Sequence, residues 1–98
     1  MTKEIRLMEE AEADLSEAAL WYQQQQAGLG HEFLDEVLAL LQSIQLQPLA
    51  YPIVHREVRR ALTNKFPSGV FYRIEAEFIV VFAIMHASRH PHGWQRRP

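Results

Sequence analysis

The sequence predicts an α+β domain of two layers, an antiparallel helical hairpin packed on a small, mainly antiparallel sheet, in the order β-α-α-β-β-β. Three observations carry this. Two stretches with apolar residues at helical spacing come early, the apolar period then drops to two, and the last periodic run, FIVVFAIM at 78–85, is apolar on both faces. A strand covered on both sides shows that pattern. Two helices with one apolar stripe each must bury both stripes on one sheet face.

Lys3 to Met8 alternates, with Ile5 and Leu7 on one side, and reads as a strand. In EEAEADLSEAALWYQQQQ, helical spacing puts Ala11, Leu15, Ala18, Ala19 and Tyr22 on one face. Its glutamates crowd the first turns, where carboxylates meet the positive end of the helix dipole. Gly28, Leu29 and Gly30 break this helix. A second helix is expected from His31 to about Gln47, with Phe33, Val37, Leu40, Leu41 and Ile44 facing the core and Leu34 and Leu38 widening the stripe. Pro48 and Pro52 end it. Residues 55–65 alternate Val58 and Leu62 with charge, as a strand would. FPSG is a turn, and VFYRIE carries Val70, Tyr72 and Ile74 on one face before the short connection Ala76, Glu77 into the last strand.

The 98 residues, nearly half of them hydrophobic, fit one domain spanning 1–98 with one two-layer core and argue against disorder. With no cysteine in the chain, a disulfide scaffold, thiolate chemistry and a Cys-based zinc site are all excluded. The N-terminus lacks an apolar leader core, and no run approaches the roughly 18 apolar residues of a membrane span, so the expectation is a cytoplasmic protein with no membrane partner. Charge is uneven. Up to His55 two basic residues stand against nine acidic ones, and from Arg56 onward eight stand against three. Such asymmetry fits a face that meets a polyanion or acidic partner, and equally an acidic helical layer neutralising a basic sheet.

Gly28 and Gly30 join helix to helix, so they form no phosphate loop, and no HExxH is present. His86, His90 and His92 lie on or beside a proline-broken tail with no carboxylate near, so no metal and no cofactor are expected. No serine has the context of an activated nucleophile. What remains is a set of cationic and aromatic side chains at strand ends: Arg59, Arg60, Arg73, His86, Arg89, Trp94, Arg96 and Arg97. Arginine offers a planar, bidentate donor for phosphate or carboxylate, and tryptophan an anchoring surface. RNA cleavage through its own 2′-hydroxyl needs a base, cations on the crowded phosphate and an acid. His86 with Arg73 and Arg89 would be that set. The alternative is that His86 ends a buried strand and bonds locally, while Arg89 pairs with a helix carboxylate.

The stretch RRALTNKFPSGVFYRIEAEFIVVFAIMHASRHPHGW resembles the ParE branch of the RelE/ParE toxins of bacterial type II toxin–antitoxin systems. There a strand bearing Arg leads to FP, then to a strand ending Y-R-I-E, then to I-V-V-x-A-I-x-H-x-x-R-x-P-x-x-W. Upstream, A-x-x-D-L-x-E-A-x-x-W-Y at 11–22 and GLG-x-x-F-L at 28–34 also fit. The resemblance implies a toxin neutralised by a cognate antitoxin whose extended segment wraps the helical hairpin and sheet. Leu20, Trp21, Leu34 and Leu38, off or flanking the core stripes, are the candidate apolar contacts for it.

Two targets are open to such a toxin. The RelE branch cleaves mRNA on the ribosome, whereas ParE toxins are associated with inhibition of DNA gyrase. Family nucleases place an arginine just before the third strand and a catalytic tyrosine or histidine near the C-terminus. Here Ser68 and Gly69 occupy the first region, and Trp94 and Gln95 the second. Arg89 matches a cationic position, and the family's His-x-x-Arg-Asp-Pro reads His-Ala-Ser-Arg-His-Pro at 86–91. The leading expectation is therefore a non-catalytic inhibitor of gyrase using Arg59, Arg60, His86, Arg89, Trp94, Arg96 and Arg97. A ribosome-dependent endoribonuclease built on Arg73, His86 and Arg89, or an inert antitoxin-binding module, are the alternatives.

Overall fold

The computed structural model describes residues 3–86 and 93–97. Strand β1 (Glu4–Leu7) leads into helices α1 (Glu9–Gln25) and α2 (Leu29–Leu46), a 3-10 turn at Pro48–Ala50, strands β2 (Ile53–His55), β3 (Val58–Leu62), β4 (Ser68–Ile74) and β5 (Phe78–His86), and a last 3-10 turn, Gly93–Arg96. The strands form one sheet in the order β1-β5-β4-β3-β2. β1 runs parallel to β5, and the other neighbours are antiparallel. The expected α+β architecture is therefore present, with two helices on one face of a mostly antiparallel sheet.

The helical hairpin closes tightly for a local reason. Gly28 adopts φ +90°, a left-handed turn that glycine tolerates without steric cost. The Gln23 side chain then accepts hydrogen bonds from the N–H groups of Gly28 (3.0 Å) and Gly30 (3.2 Å), which satisfies donors that a helix start otherwise leaves open. Gly30 sits inside the first turn of α2, so the helix begins at Leu29, two residues earlier than the glycine pattern suggests. Its hydrogen faces the α1 backbone: a Cβ there would lie 2.5 Å from the Ala19 carbonyl oxygen.

The main core lies between helices and sheet. Ala11, Ala19, Phe33, Val37, Leu41 and Ile44 meet Ala61, Val70, Tyr72, Ile79, Val81 and Ile84, with Leu15, Ala18, Tyr22, Leu34 and Leu40 partly buried around them. Tyr22, Phe33 and Phe66 pack with ring centroids 4.7–5.2 Å apart. Phe66 is held down because Thr63 Oγ1 donates to its carbonyl and Glu36 accepts from the N–H groups of Asn64 and Lys65. Tyr72 buries its ring completely and donates its hydroxyl to the Pro48 carbonyl at 2.6 Å.

The far face of the sheet has a smaller core of Val58, Phe71, Phe82, Ala83 and Trp94, edged by Met8 and Met85. It exists because β5 changes parity. Phe71 pairs with Ala83 but Tyr72 with Val81, leaving Phe82 as an extra residue opposite that step. This bulge lets Val81 and Ile84, three apart, both face the helices while Phe82 and Ala83 both face away. That is why the FIVVFAIM run is apolar throughout.

The expected strand over 55–65 is instead a hairpin. Its turn lies at Arg56 and Glu57, with Arg56 at φ +52°, and it splits the segment into the short edge strand β2 and β3.

Candidate contact surface and groove

The cationic residues singled out from sequence fall into three groups. The first is structural. Arg59 faces the helical side and donates to the Tyr51 carbonyl at 2.6 Å, tying the 48–52 segment to β3. Arg97 makes a forked pair with Asp14, Nη2 to Oδ1 at 3.1 Å and Nη1 to Oδ2, with both side chains mostly shielded from solvent. The hydrogen bond to Asp14 raises the Arg97 pKa further, burial works against it, and the field of Asp14, Glu10 and Glu17 adds to it. This cation is permanently charged and already neutralised.

The second group lies on the far face of the sheet. Arg60 is half-buried over Gly69, where an added Cβ would stand 3.3 Å from the Arg60 Cγ, and its Nε has no hydrogen-bond partner among the described residues. Arg73 pairs with Glu75 at 3.1 Å, and its guanidinium carbon lies 5.9 Å from the centre of the Phe82 ring. Trp94 belongs to the same face but turns inward. It is 5 % exposed, stacks on Phe71 at 4.6 Å and 20°, and meets the His55 ring edge-on at 5.6 Å. The anchoring ring expected at the surface is thus the lid of the second core.

The third group comprises Arg96, exposed on the last turn, and His86, half-buried at the end of β5 opposite Ser68. Arg89, His90 and His92 lie outside the described residues. Among those described, no three His, Cys, Asp or Glu side chains gather in a position to hold a metal ion. No helix among them is long and apolar enough to cross a membrane.

What the fold does bring together is a groove of about 560 Å³ between the second half of α1 and the end of β5. Trp21 and Tyr22 form its apolar wall, Ile84 and Met85 its floor, and Asp14, Glu17, His86 and Arg97 its polar rim. Trp21 stands 48 % exposed and meets Tyr22 edge-on at 5.2 Å. Leu20 and Leu38 are also exposed at 61 % and 53 %, whereas Leu34 is partly buried against the core. Exposed apolar side chains continue at Leu46, Leu49, Ile53 and Val54, around the 48–50 turn and β2.

Sequence reasoning passed over Asp14, which reaches across to β5: the Ile84 N–H donates to its Oδ2 at 3.0 Å. A signal was available. Asp14 is a charge on the stripe of Ala11, Leu15, Ala18 and Tyr22, and a carboxylate on a core-facing stripe calls for a partner.

Comparison with known proteins places this arrangement. A family model described as ParE toxin of type II toxin-antitoxin system, parDE, matches residues 5–91. Among solved structures, the chain is similar to a chromosomal ParDE toxin–antitoxin system from P. aeruginosa, with 15 % identity, TM-score 0.74, and coverage of 87 % of this chain and 96 % of that one. It is also similar to the RelBE2 toxin–antitoxin complex from Mycobacterium tuberculosis, with 14 % identity, TM-score 0.61, and coverage of 88 % and 99 %. At those identities the likeness is one of fold. None of the curated proteins compared with the chain matches it in sequence. With helical hairpin and sheet in place and the family model running from residue 5 to residue 91, the chain belongs to the ParE toxin family of type II toxin–antitoxin systems.

Proposed function

We propose that this ParE-family chain is the toxic partner of an antitoxin and that, when free, it binds and inhibits DNA gyrase without performing catalysis. The observation that carries the non-catalytic reading is the seat of Trp94. Its ring covers the far face of the sheet between Phe71 and His55. Ser68 and Gly69, where the family's nucleases carry an arginine, are buried, and Arg60 packs over Gly69. Cleavage needs a base and a cation converging on one phosphate. On this face Arg73 is paired with Glu75, Arg6 with Glu4, and Arg60 packs over Gly69.

The contact surface for gyrase would be the basic rim of the sheet, with exposed Arg96 and half-buried Arg60 as its charges, and with His86 and Arg89 as further candidate contacts. Arg59, Trp94 and Arg97 act beneath it by fixing the backbone. The antitoxin would lay an extended segment along the α1 side, with Trp21 at the groove and Leu20, Leu34 and Leu38 across the hairpin. The solved relatives are themselves toxin–antitoxin systems, which supports a protein partner of that kind. Gyrase as target puts the chain in the cytoplasm.

A purified-component assay tests the reading. The chain should block gyrase supercoiling and leave ribosome-bound mRNA intact, and co-purified antitoxin should relieve the block. Cleaved mRNA with unaffected supercoiling would make Arg73, His86 and Arg89 a nuclease site instead. Activity in neither assay, with antitoxin still bound, would reduce the chain to a binding module.

A further inference from the structure

β1 pairs with β5 only as far as Leu7 opposite Val81, and the Met8 N–H then closes onto the Val81 carbonyl at 2.8 Å. The chain turns away into α1 at this point, so residues 82–85 of β5 have no strand beside them on that side among the described residues. An unpaired edge is a template for another strand. The sheet's two outermost strands are blunted by their own sequence: β1 carries the exposed charges Glu4 and Arg6, and β2 is three residues long and follows Pro52. Residues 82–85 read FAIM and have no such protection.

Side chains stand in instead. The Ile84 N–H donates to Asp14 Oδ2 at 3.0 Å, and Arg97 Nη1 donates to the Phe82 carbonyl at 3.2 Å. The Asp14 carboxylate and Arg97 guanidinium are also joined to each other. Together they present one acceptor and one donor to the edge, as the backbone of a neighbouring strand would. The contact is tertiary, since its halves are 83 residues apart in sequence and come from α1 and the C-terminal turn.

We propose that Asp14 and Arg97 act as a side-chain replacement for a strand, and that they keep residues 82–85 of β5 from pairing with a second copy of this chain. The occupant they exclude is a second copy because two copies of one uncharged edge segment can pair antiparallel about a two-fold axis. Along 82–85 no charge would oppose charge across that axis. The groove beside Ile84 and Met85 leaves room for the incoming strand.

The test uses the full chain. Asp14→Asn keeps an acceptor for Ile84 but loses the ion pair, Arg97→Ala leaves the Phe82 carbonyl open, and Asp14→Ala with Arg97→Ala opens both. Light scattering at rising concentration should show a monomer for the wild type and a concentration-dependent dimer for the double variant. The single variants should associate at least about tenfold more weakly than the double. Amide exchange at Ile84 in the double variant should slow as concentration rises, which a merely loosened monomer would not show. A monomer at every concentration, with the Ile84 amide exchanging faster throughout, overturns the proposal, and so does a wild-type dimer paired through β5. Should the double variant fail to fold, Asp14→Asn and Arg97→Ala are judged by the same two readouts.

Discussion

Replacing Phe82 by alanine probes the feature on which the far face depends. Phe82 is fully buried and is the residue that the β5 bulge adds to that face, beside Phe71, Ala83 and Trp94. Truncating a buried phenylalanine costs about 3–5 kcal/mol, the lost transfer energy plus the cavity left behind. The upper half of that range applies here. Phe82 is held between strand pairings on a rigid strand, so its neighbours have little freedom to collapse into the gap. For a domain of this size each kcal/mol lowers Tm by about 4–8 °C, so the melting point should fall by at least ~16 °C. Urea titration followed by circular dichroism measures the loss, and a Trp21→Phe background isolates Trp94 emission, which should shift to the red as its seat opens. A loss under about 1 kcal/mol with unchanged Trp94 emission would refute the two-core reading and the bulge register with it.

Gly30→Ala gives a sign test. In an ordinary helix interior alanine is favoured over glycine by about 1 kcal/mol, but here the new Cβ would press on the Ala19 carbonyl at 2.5 Å. A destabilisation of about 1–3 kcal/mol is therefore expected in urea melts, and a gain would show that the helices are farther apart. Tyr72 predicts a pH dependence. Burial raises its pKa from the ordinary value to about 12, with the field of Arg59 opposing. Because the folded pKa lies above the unfolded one, its contribution is complete below pH 10 and is lost as pH rises toward 12. Stability measured across that window should decline, and Tyr72→Phe should flatten the decline while losing the bond to Pro48, worth about 1 kcal/mol. Trp21→Ala and Leu38→Ala change exposed side chains, so melts should move within about 0.5 kcal/mol, while antitoxin affinity should fall by about 1 kcal/mol or more each. Unchanged affinity would take the antitoxin off this surface.

Much of the fold was legible because period is a strong signal. The stripes of α1 and α2, the alternation of β1 and β4 and the doubly apolar β5 all map onto what folds. The hairpin at 53–62 was hidden for two physical reasons: its turn uses Arg56 at positive φ with no glycine to announce it, and β2 is too short to show a period. The bulge was also silent, since a run that is apolar at every position reads the same in either register.

Of the candidate site, type was legible and role was not. Arginine and tryptophan in a basic tail look like a contact surface. Yet a strand apolar on both faces demands a cover on each, and Trp94 is the one large apolar side chain that follows β5 in the sequence. Arg97 and Asp14 are 83 residues apart, a pairing no local pattern encodes.

Direct binding of the purified chain to gyrase, titrated at increasing ionic strength, tests the central claim most closely. The account predicts saturable binding that weakens with salt, as screened charges must, and weakens again for Arg60→Glu and Arg96→Glu in chains that remain folded. Binding unaffected by both reversals, or none at physiological salt, would contradict it.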